Sequence, residues 1–268
     1  MRTLIVVPAR YASSRLPGKP LLRSTGKYLI QHVVERARQA RCADGVLVAT
    51  DDSRIAAAVA SFGGQSIMTS RMHRSGTDRV AEVARRVDAD VYVNLQGDEP
   101  EIDPADIDRL VDVLSTSPDG CVATLAAPIT SIDDYQSPHC VKVTCDPSGR
   151  ALYFSRSPIP MVRDGEPDLS RRPSPFLQHI GIYGYRREDL LAIAQLPPSP
   201  LENLEKLEQL RALEHGWSFA VGVVARASRG VDTFDDYLRF ARSVGVPRPR
   251  AAAACRNSNW SRRGNPIE

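Results

Sequence analysis

Three cations occur in one short loop near the N-terminus, and most of the residues between them are small. Arg10, Arg15 and Lys19 follow the first predicted strand, and Gly18 directly precedes the lysine. Ligands of open α/β sheets bind beyond the carboxyl ends of the strands, which is where this loop is expected. The cations would offset the charge of a polyphosphate, and the small residues would let the backbone come close to it. The loop predicts a polyphosphate site that is not a P-loop, and a solvated surface loop is the alternative.

Two carboxylates are predicted at the same edge of the sheet as this basic loop. Asp98 follows an apolar strand and the pair Gln96-Gly97, and Asp232 follows a later strand and the pair Gly230-Val231. Mg²⁺ prefers oxygen ligands and usually takes one or two carboxylates together with substrate phosphates. The two aspartates together therefore predict a magnesium site, whereas either one alone would more often be a helix cap or a turn residue.

Further polar side chains occur in the second half of the chain. His179 and Tyr183 lie four residues apart in a predicted strand, so the period of two puts them on one face. A single strand histidine is more often structural than ligand-binding when no other information is used. Glutamates at every third position from Glu202 to Glu208 are typical of a solvated helix face.

Apolar runs of strand length alternate with helical patterns through the first half of the chain. Such alternation predicts right-handed βαβ units and an α/β fold, with a mainly parallel or mixed central sheet covered on both faces. The predicted strands are Leu4–Val7, Gly45–Thr50, Ser66–Met68 and Val91–Leu95, and the predicted helices include Thr77–Val87 and Pro104–Leu114.

The second half has shorter strands and a segment rich in proline and charge between Pro158 and Pro175, which predicts a small inserted lobe. Leucines at every third position from 201 to 213 predict one broad helical stripe in the core. We expect one domain over residues 1–243, with the lobe at roughly 126–186, and a disordered basic tail over 244–268. The later predicted strands are Val122–Leu125, Val141–Cys145, Ala151–Phe154, Ile180–Tyr185 and Phe219–Val224.

Composition limits the classes of protein to which the chain can belong. Of 268 residues, 42% are hydrophobic and 25% are charged, which is typical of globular proteins. Residues 241–268 have six arginines and one acid, so the rest of the chain has a net charge of −2 and does not predict a nucleic-acid partner. No apolar run reaches the length of a membrane span or a signal peptide, so we expect a cytoplasmic protein. The five scattered cysteines predict neither a disulfide framework nor a zinc site.

Several separated motifs together resemble the 3-deoxy-manno-octulosonate (Kdo) cytidylyltransferases, also called CMP-Kdo synthetases. The resemblance extends from Leu4 to about Leu238, and it depends on the order of the motifs rather than on any one of them. The motifs are Pro8-Ala9-Arg10-Tyr11-Ala12-Ser13, Arg15-Leu16-Pro17-Gly18-Lys19-Pro20, Ala49-Thr50-Asp51, Ser75-Gly76-Thr77-Asp78-Arg79, Asn94-Leu95-Gln96-Gly97-Asp98-Glu99-Pro100, Ala151-Leu152-Tyr153-Phe154-Ser155-Arg156, His179-Ile180-Gly181-Ile182-Tyr183, Leu207-Glu208-Gln209-Leu210-Arg211 and Gly230-Val231-Asp232-Thr233.

The resemblance implies a three-layer, Rossmann-like nucleotidyltransferase fold and transfer of CMP from CTP to Kdo for lipopolysaccharide synthesis. It also implies a homodimer to which the small lobe contributes. The Kdo carboxylate calls for a cationic partner, which Arg156 or a protonated His179 would supply. The implied roles are CTP binding by Arg10, Arg15, Lys19 and Gln96, Mg²⁺ binding by Asp98 and Asp232, catalysis by Lys19 with both aspartates, and sugar binding by Arg156, His179, Tyr183, Glu208 and Gln209.

Three alternatives differ from this interpretation in testable ways. A cytidylyltransferase for 8-amino-Kdo or a sialic acid would keep the loop and the aspartates and change the second half of the chain. A non-catalytic nucleotide-binding paralogue would bind CTP without releasing pyrophosphate. An RNA-binding module is poorly supported, because Trp260 is the only aromatic residue among the arginines of the tail.

Overall fold

The protein is described from a computed structural model, and the structure describes residues 1–12, 16–73 and 75–245. Arg15, which is one of the predicted CTP ligands, lies outside the described residues. Residues 246–268 of the predicted tail also lie outside them.

A mixed sheet forms the centre of the molecule. Within the described ranges its strands are β1 Thr3–Ala9, β2 Gly45–Thr50, β3 Gln65–Met68, β4 Val91–Asn94, β5 Cys121–Pro128, β6 Lys142–Cys145, β7 Ala151–Ser155, β8 Leu177–Arg186 and β9 Ser218–Val223. The main path has the order β3-β2-β1-β4-β8-β5-β9, and β8 is antiparallel to both of its neighbours on this path. The other strands of the path run in one direction, so their carboxyl ends meet at one edge of the sheet.

Helices cover both faces of this sheet. Those in the described ranges are a 3₁₀ turn Lys19–Leu21, α1 Leu29–Ala37, α2 Ser53–Ser61, α3 Gly76–Arg86, α4 Pro104–Thr116, α5 Ile132–Gln136, α6 Arg187–Ile193, α7 Pro200–Glu205, α8 Gln209–Glu214 and α9 Phe234–Ser243. Several begin at side-chain caps. Asp52, Ser75, Asp103 and Thr233 each accept a hydrogen bond from a backbone N–H in the first turn of their helix.

The buried side chains form two large cores, one on each face of the sheet. One core packs α1, α2 and α4 against the sheet, and the other packs α3, α6 and α8 against the opposite face. Strand β1 contributes to both, because Ile5 and Val7 point to the first core and Leu4 and Val6 to the second. Each such buried side chain stabilises the fold by about 1.5–3 kcal/mol. The predicted α/β fold, with its sheet covered on both faces, is confirmed, and the sheet is mixed.

A hairpin made of β6 and β7 extends from the beginning of β8. Its first residue, Lys142, is fully buried and donates hydrogen bonds to the carbonyl oxygens of Ser137, Cys140 and Arg156 at 2.7–2.8 Å. Burial lowers the pKa of this ammonium. The hairpin lies inside the range predicted for a small lobe at 126–186, and the bounds of that lobe stay a prediction.

The predicted helical stripe of leucines is wrong, because the segment forms two short helices. Lys206 interrupts them with a left-handed backbone (φ 53°), and Leu204 is 79% exposed while Leu210 is fully buried. The predicted role in the core is nevertheless confirmed for four of the five leucines, since Leu207 and Leu210 are buried in the second core and Leu201 and Leu213 pack against it.

No helix of the described residues has the length and apolar character needed to cross a membrane. The four cysteines among these residues, Cys42, Cys121, Cys140 and Cys145, are free thiols.

Candidate active site

Three residues from distant parts of the chain meet at the carboxyl edge of the sheet. The ammonium of Lys19 donates a hydrogen bond to Asp98 Oδ2 at 2.6 Å and another to the carbonyl oxygen of Val231 at 2.8 Å. Its Nζ also lies 3.6 Å from Asp232 Oδ1. The structure therefore brings together Lys19, Asp98 and Asp232, which the sequence predicted as the catalytic group.

The backbone around Gly18 directs Lys19 into this cluster. Gly18 has a positive φ of 72°, and its N–H donates to the carbonyl oxygen of Tyr11 at 2.9 Å. A Cβ at this position would lie 3.2 Å from the Tyr11 ring, so both the conformation and the space favour glycine. The loop closes tightly here and leads directly into the 3₁₀ turn that begins with Lys19.

The segments that contain the two aspartates are bound to each other through the backbone. The N–H of Val231 donates to the carbonyl oxygen of Asp98 at 2.8 Å. Gly97 packs against β1 so closely that a Cβ would lie 2.8 Å from the carbonyl oxygen of Pro8, which requires glycine at this position. These contacts fix the backbone positions of Asp98 and of Val231, which directly precedes Asp232.

Glu99 makes a second connection between the same two segments, and the sequence analysis did not assign it a role. Its Oε2 accepts a hydrogen bond from Ser228 Oγ at 2.8 Å, and its Oε1 lies 3.0 Å from where a Cβ on Gly230 would stand. Burial, together with the charge of Asp98, raises the pKa of Glu99 to about 8. The available signal was its place directly after Asp98 in an acidic pair.

Helix α9, which directly follows Asp232 and Thr233, holds the loop of Asp232 at its C-terminal end. Thr233 caps the helix, and the carboxylate of Asp236 accepts hydrogen bonds from the N–H groups of Asp232 and Thr233. A small apolar cluster then joins α9 to the basic loop and to the beginning of α1. Its buried members are Leu29, Val231, Tyr237 and Phe240, with Leu16 and Leu22 packed against them.

The remaining predicted nucleotide ligands lie near the same edge. Arg10 directly follows β1 and is exposed. Gln96 follows β4, donates from Nε2 to Asn94 Oδ1 at 3.2 Å, and lies 3.5 Å from where a Cβ on Gly76 would stand. Gln96 is therefore next to the N-terminus of α3, where Ser75 is the capping residue.

A second polar cluster is built around β8, and the predicted pair of His179 and Tyr183 belongs to it. Their rings are 5.5 Å apart, which confirms that they share a face of the strand. His179 Nε2 lies 2.9 Å from Thr124 Oγ1, and the same hydroxyl oxygen is 2.8 Å from the carbonyl oxygen of Ile182. His179 Nε2 and Thr124 Oγ1 share a hydrogen bond in which the tautomer of the ring decides which group donates.

The surroundings of His179 decide its charge. Burial lowers its pKa to about 3, so the imidazole is neutral at physiological pH. The expectation that a protonated His179 would pair with the sugar carboxylate is therefore corrected, since a neutral ring offers hydrogen bonding but no positive charge. Burial also raises the pKa of Tyr183 well above its usual value, so its hydroxyl keeps its proton.

Glu208 and Gln209 lie beside Tyr183 and the first turn of α3. Thr77 Oγ1 donates to Glu208 Oε2 at 3.1 Å, and burial raises the pKa of this glutamate. A small cavity of about 20 Å³, enough for about one water molecule, is lined by Thr77, Tyr183, Glu208 and Gln209 among others. The structure thus brings three of the predicted sugar ligands together, and Thr77 is a neighbour that the sequence analysis did not assign.

Arg156 is placed differently from the other predicted sugar ligands. Its guanidinium donates to the carbonyl oxygens of Glu205, Pro138 and Lys206 at 2.7, 2.9 and 3.4 Å. These bonds connect the end of β7 to the end of α7, so the side chain is engaged with the backbone. Its role in binding a sugar carboxylate stays a prediction.

Comparison with known proteins identifies the family. Residues 4–219 match the model of a family described as cytidylyltransferase. A protein of Syntrophobacter fumaroxidans named 3-deoxy-manno-octulosonate cytidylyltransferase is 52% identical over 239 residues, which are 88% of this chain and 94% of that protein. The chain belongs to the 3-deoxy-manno-octulosonate cytidylyltransferase family.

Other relatives agree with this membership. A 3-deoxy-manno-octulosonate cytidylyltransferase of Syntrophotalea carbinolica is 52% identical over 89% of this chain and 97% of its own length. A solved CMP:2-keto-3-deoxy-manno-octonic acid synthetase complexed with CTP is 46% identical, with a TM-score of 0.84 over 91% of this chain and 98% of that chain. The resemblance drawn from the motifs is therefore confirmed.

The cytidylyltransferase site has two chemically different parts. The part formed by Lys19, Asp98 and Asp232 is charged and lies at the edge of the sheet, where it can hold a cation and a polyphosphate. The part around His179, Tyr183 and Glu208 offers polar groups near β8 and the first turn of α3, of which His179 is buried and Glu208 is exposed. This arrangement suits a nucleotidyltransferase, which binds an anionic donor beside a polyhydroxyl acceptor.

Proposed function

We propose that the protein transfers CMP from CTP to the anomeric hydroxyl of Kdo and releases pyrophosphate. The observation that carries this proposal is the meeting of Lys19, Asp98 and Asp232 at the carboxyl edge of the sheet, in a chain that belongs to this family. A cation and two carboxylates from three separate segments are the groups that phosphoryl chemistry requires.

The reaction asks the protein for positioning more than for covalent chemistry. The anomeric oxygen attacks the α-phosphorus of CTP, the bond from phosphorus to the β-phosphate oxygen breaks, and the hydroxyl proton goes to solvent or to a nearby base. Arg10, Arg15 and Lys19 would neutralise the departing pyrophosphate, and Gln96 would contact the nucleotide beside α3. The exposure of Arg10 and the position of Gln96 support these roles.

The donor set fits Mg²⁺. Asp98 and Asp232 each place a carboxylate oxygen within 4 Å of one ammonium, so both already converge on a single cation. Carboxylates completed by substrate phosphates are the environment that Mg²⁺ prefers. When bound, the ion would supply charge neutralisation at the phosphates and a lowered pKa for the attacking hydroxyl. Asp98 and Asp232 are the residues that would hold it.

The acceptor sugar would bind in the second polar cluster. Tyr183, Glu208 and Gln209 line one small cavity, which holds about one water molecule and would have to widen to admit the sugar, and the neutral ring of His179 lies 5.5 Å from the ring of Tyr183. These groups form hydrogen bonds without a full positive charge, so we assign them to the hydroxyl groups of Kdo. The carboxylate of Kdo is assigned to Arg156, which would have to exchange one of its backbone partners.

The proposed product places the protein in lipopolysaccharide synthesis, and we propose a cytoplasmic homodimer as its working form. Free thiols in the described residues suit a reducing compartment. A dimer should have twice the chain mass of 29.4 kDa when its molar mass is measured by light scattering after size-exclusion chromatography.

The test is pyrophosphate release from CTP with Mg²⁺, with Kdo, 8-amino-Kdo and a sialic acid offered in separate reactions. Release with Kdo that a chelator abolishes would support the proposal. Release only with another acid sugar would keep the chemistry and change the substrate. CTP binding without release in any reaction would favour a non-catalytic nucleotide-binding protein.

A further inference from the structure

The ammonium of Lys19 is directed at carboxylates rather than at solvent. Its side chain is 12% exposed, and its shortest contacts are Asp98 Oδ2 at 2.6 Å and the carbonyl oxygen of Val231 at 2.8 Å. Asp232 Oδ1 lies 3.6 Å from the same ammonium nitrogen. In the protein without nucleotide, Lys19 therefore stands at the point where the two carboxylates converge.

We propose that Lys19 occupies the cation position between Asp98 and Asp232 in the free protein and yields it to a divalent ion only when nucleotide binds. This inference rests on the proposed function, because it takes a nucleoside triphosphate as the ligand. Lys19 then has two partners in turn, which are the aspartates in the free protein and the phosphates in the complex.

The set of available ligands supports this exchange. In the part of the chain that the structure describes, no group of three or more histidine, cysteine, aspartate or glutamate side chains is arranged to hold a metal ion. Two carboxylates that already share an ammonium make a poor site for a divalent ion, since the ion must first displace that positive charge. The phosphates of a nucleotide would supply the missing oxygen ligands and give Lys19 a new anionic partner.

The local structure permits Lys19 to change partners. Lysine has a flexible four-carbon stem, so its ammonium can move without a change in the backbone. Meanwhile, the loops of Asp98 and Asp232 stay connected through the bond from Val231 N–H to the carbonyl oxygen of Asp98 and through the bond between Ser228 and Glu99. The carboxylates are therefore held in place while the ammonium leaves.

The proposal predicts strong coupling between the binding of cation and nucleotide. The coupling must be reciprocal, so each ligand raises the affinity for the other by the same factor. The probe is Mn²⁺, whose binding to the full chain is measured by electron paramagnetic resonance with and without CTP and without any sugar. Samples of Mn²⁺ and CTP without protein correct for the complex that these two form alone.

In the wild-type protein we expect CTP to tighten Mn²⁺ binding by about tenfold or more. The variant Lys19→Met should bind Mn²⁺ about tenfold more tightly than wild type in the absence of CTP, because its carboxylates have lost their resident cation. The same variant should bind CTP more weakly, and its coupling factor should be smaller than that of wild type, because only the coupling through the phosphate ligands of the ion remains. A residue with only a structural role would not raise metal affinity when it is removed.

The control variant is Arg10→Met, which removes the same charge from the same loop. Arg10 is exposed, so solvent screens its effect on the aspartates, and its loss should change Mn²⁺ affinity without CTP by less than about twofold. Lys19→Gln is a second neutral variant, and circular dichroism melting verifies that each variant is folded.

Three results would overturn the inference. These are equal Mn²⁺ affinity of wild type with and without CTP, no gain in Mn²⁺ affinity in folded Lys19 variants, and an equal gain in Arg10→Met. If the protein releases pyrophosphate with Kdo, any of these three results refutes only the proposal that Lys19 changes partners and leaves the proposed function standing. Absence of both CTP binding and pyrophosphate release would refute the proposed function itself.

Discussion

The two parts of the site use charge in opposite ways. Lys19 forms ion pairs with Asp98 and Asp232 at the carboxyl edge of the sheet, and the two carboxylates are 30% and 48% exposed. His179 and Tyr183 lie inside the second core, where burial shifts their pKa values in the directions that keep both neutral. The first part is therefore suited to neutralising a polyphosphate, and the second to forming hydrogen bonds with the hydroxyl groups of the acceptor sugar. The contrast predicts that the two parts respond differently to metal, pH and substitution.

The largest expected effect is in the charged part. Asp98→Ala should leave the fold intact and lower the rate by roughly 10²–10⁴-fold, because it removes a carboxylate that would hold Mg²⁺. Pyrophosphate release over a Mg²⁺ titration measures this loss. Asp235→Ala, an exposed change on α9, is the matched control and should retain activity near that of wild type. Turnover of Asp98→Ala close to that of wild type would show that Asp98 is not required to hold the metal ion.

The second effect concerns stability in acid and belongs to the neutral part. The folded-state pKa of His179 is lowered to about 3, below the ordinary value of 6.5, so the unfolded chain binds the additional proton as the pH falls between these values. This residue therefore stabilises the fold fully above pH 6.5, and its contribution decreases by about 1.4 kcal/mol per pH unit below it. At pH 5 we expect the contribution of His179 to be about 2 kcal/mol smaller than at pH 7, while the raised pKa of Glu99, at about 8, acts in the opposite direction.

Denaturant unfolding at both pH values measures this dependence. The difference in stability between wild type and His179→Asn should change by about 2 kcal/mol between the two pH values, whereas the difference between wild type and His215→Gln, which removes an exposed histidine, should change much less. An equal dependence in His179→Asn and wild type would show that His179 is not the group responsible.

A smaller effect separates the two substrates. Tyr183→Phe removes one hydroxyl from the small cavity and should raise the KM for Kdo by about tenfold, which is the loss of one hydrogen bond to the sugar. The KM for CTP should remain unchanged, because the nucleotide is assigned to the other part of the site. Steady-state kinetics with each substrate varied in turn decide this, and Tyr135→Phe is the control in the segment between β5 and β8. A rise in the KM for CTP instead would assign Tyr183 to the nucleotide.

The smallest effect tests how the charged part is held together. Glu99→Gln and Ser228→Ala each remove or weaken one contact between the two aspartate loops, at an expected cost of about 1 kcal/mol each. A double-mutant cycle on the free energy of unfolding should give a coupling of about 0.5–1.5 kcal/mol, because the two side chains share one hydrogen bond. Additive effects in the cycle would show that this bond does not connect the loops.

Much of the charged part could be predicted from local sequence. A basic loop and Asp98 each follow an apolar strand, and parallel strands bring their carboxyl ends to one edge, so their proximity follows from topology. Glu99 was missed because its position in an acidic pair with Asp98 does not show which residue it contacts. Its bond to Ser228 joins residues 129 positions apart in the chain.

The neutral part was less predictable. The period of two correctly placed His179 and Tyr183 on one face, but the charge of His179 depends on how deeply β8 is buried between β4 and β5. The helical stripe of leucines was wrong because Lys206 adopts a left-handed backbone, which no spacing pattern reveals. Arg156 had a clear charge and motif, yet its three carbonyl partners belong to Pro138, Glu205 and Lys206, which are 18 to 50 positions away in the chain.

By itself, the sequence determined the α/β class, the positions of most strands and helices, and the residue types gathered at the carboxyl edge of the sheet. These features depend on hydrophobic periodicity and capping, which act between residues close in the chain. Tertiary structure alone decided that Lys19 pairs with both aspartates, that Glu99 connects their loops and that His179 is neutral. Each of these outcomes depends on distances and burial between segments far apart in the chain, because electrostatic energies and pKa values are set by the surroundings in space and not by neighbours in sequence.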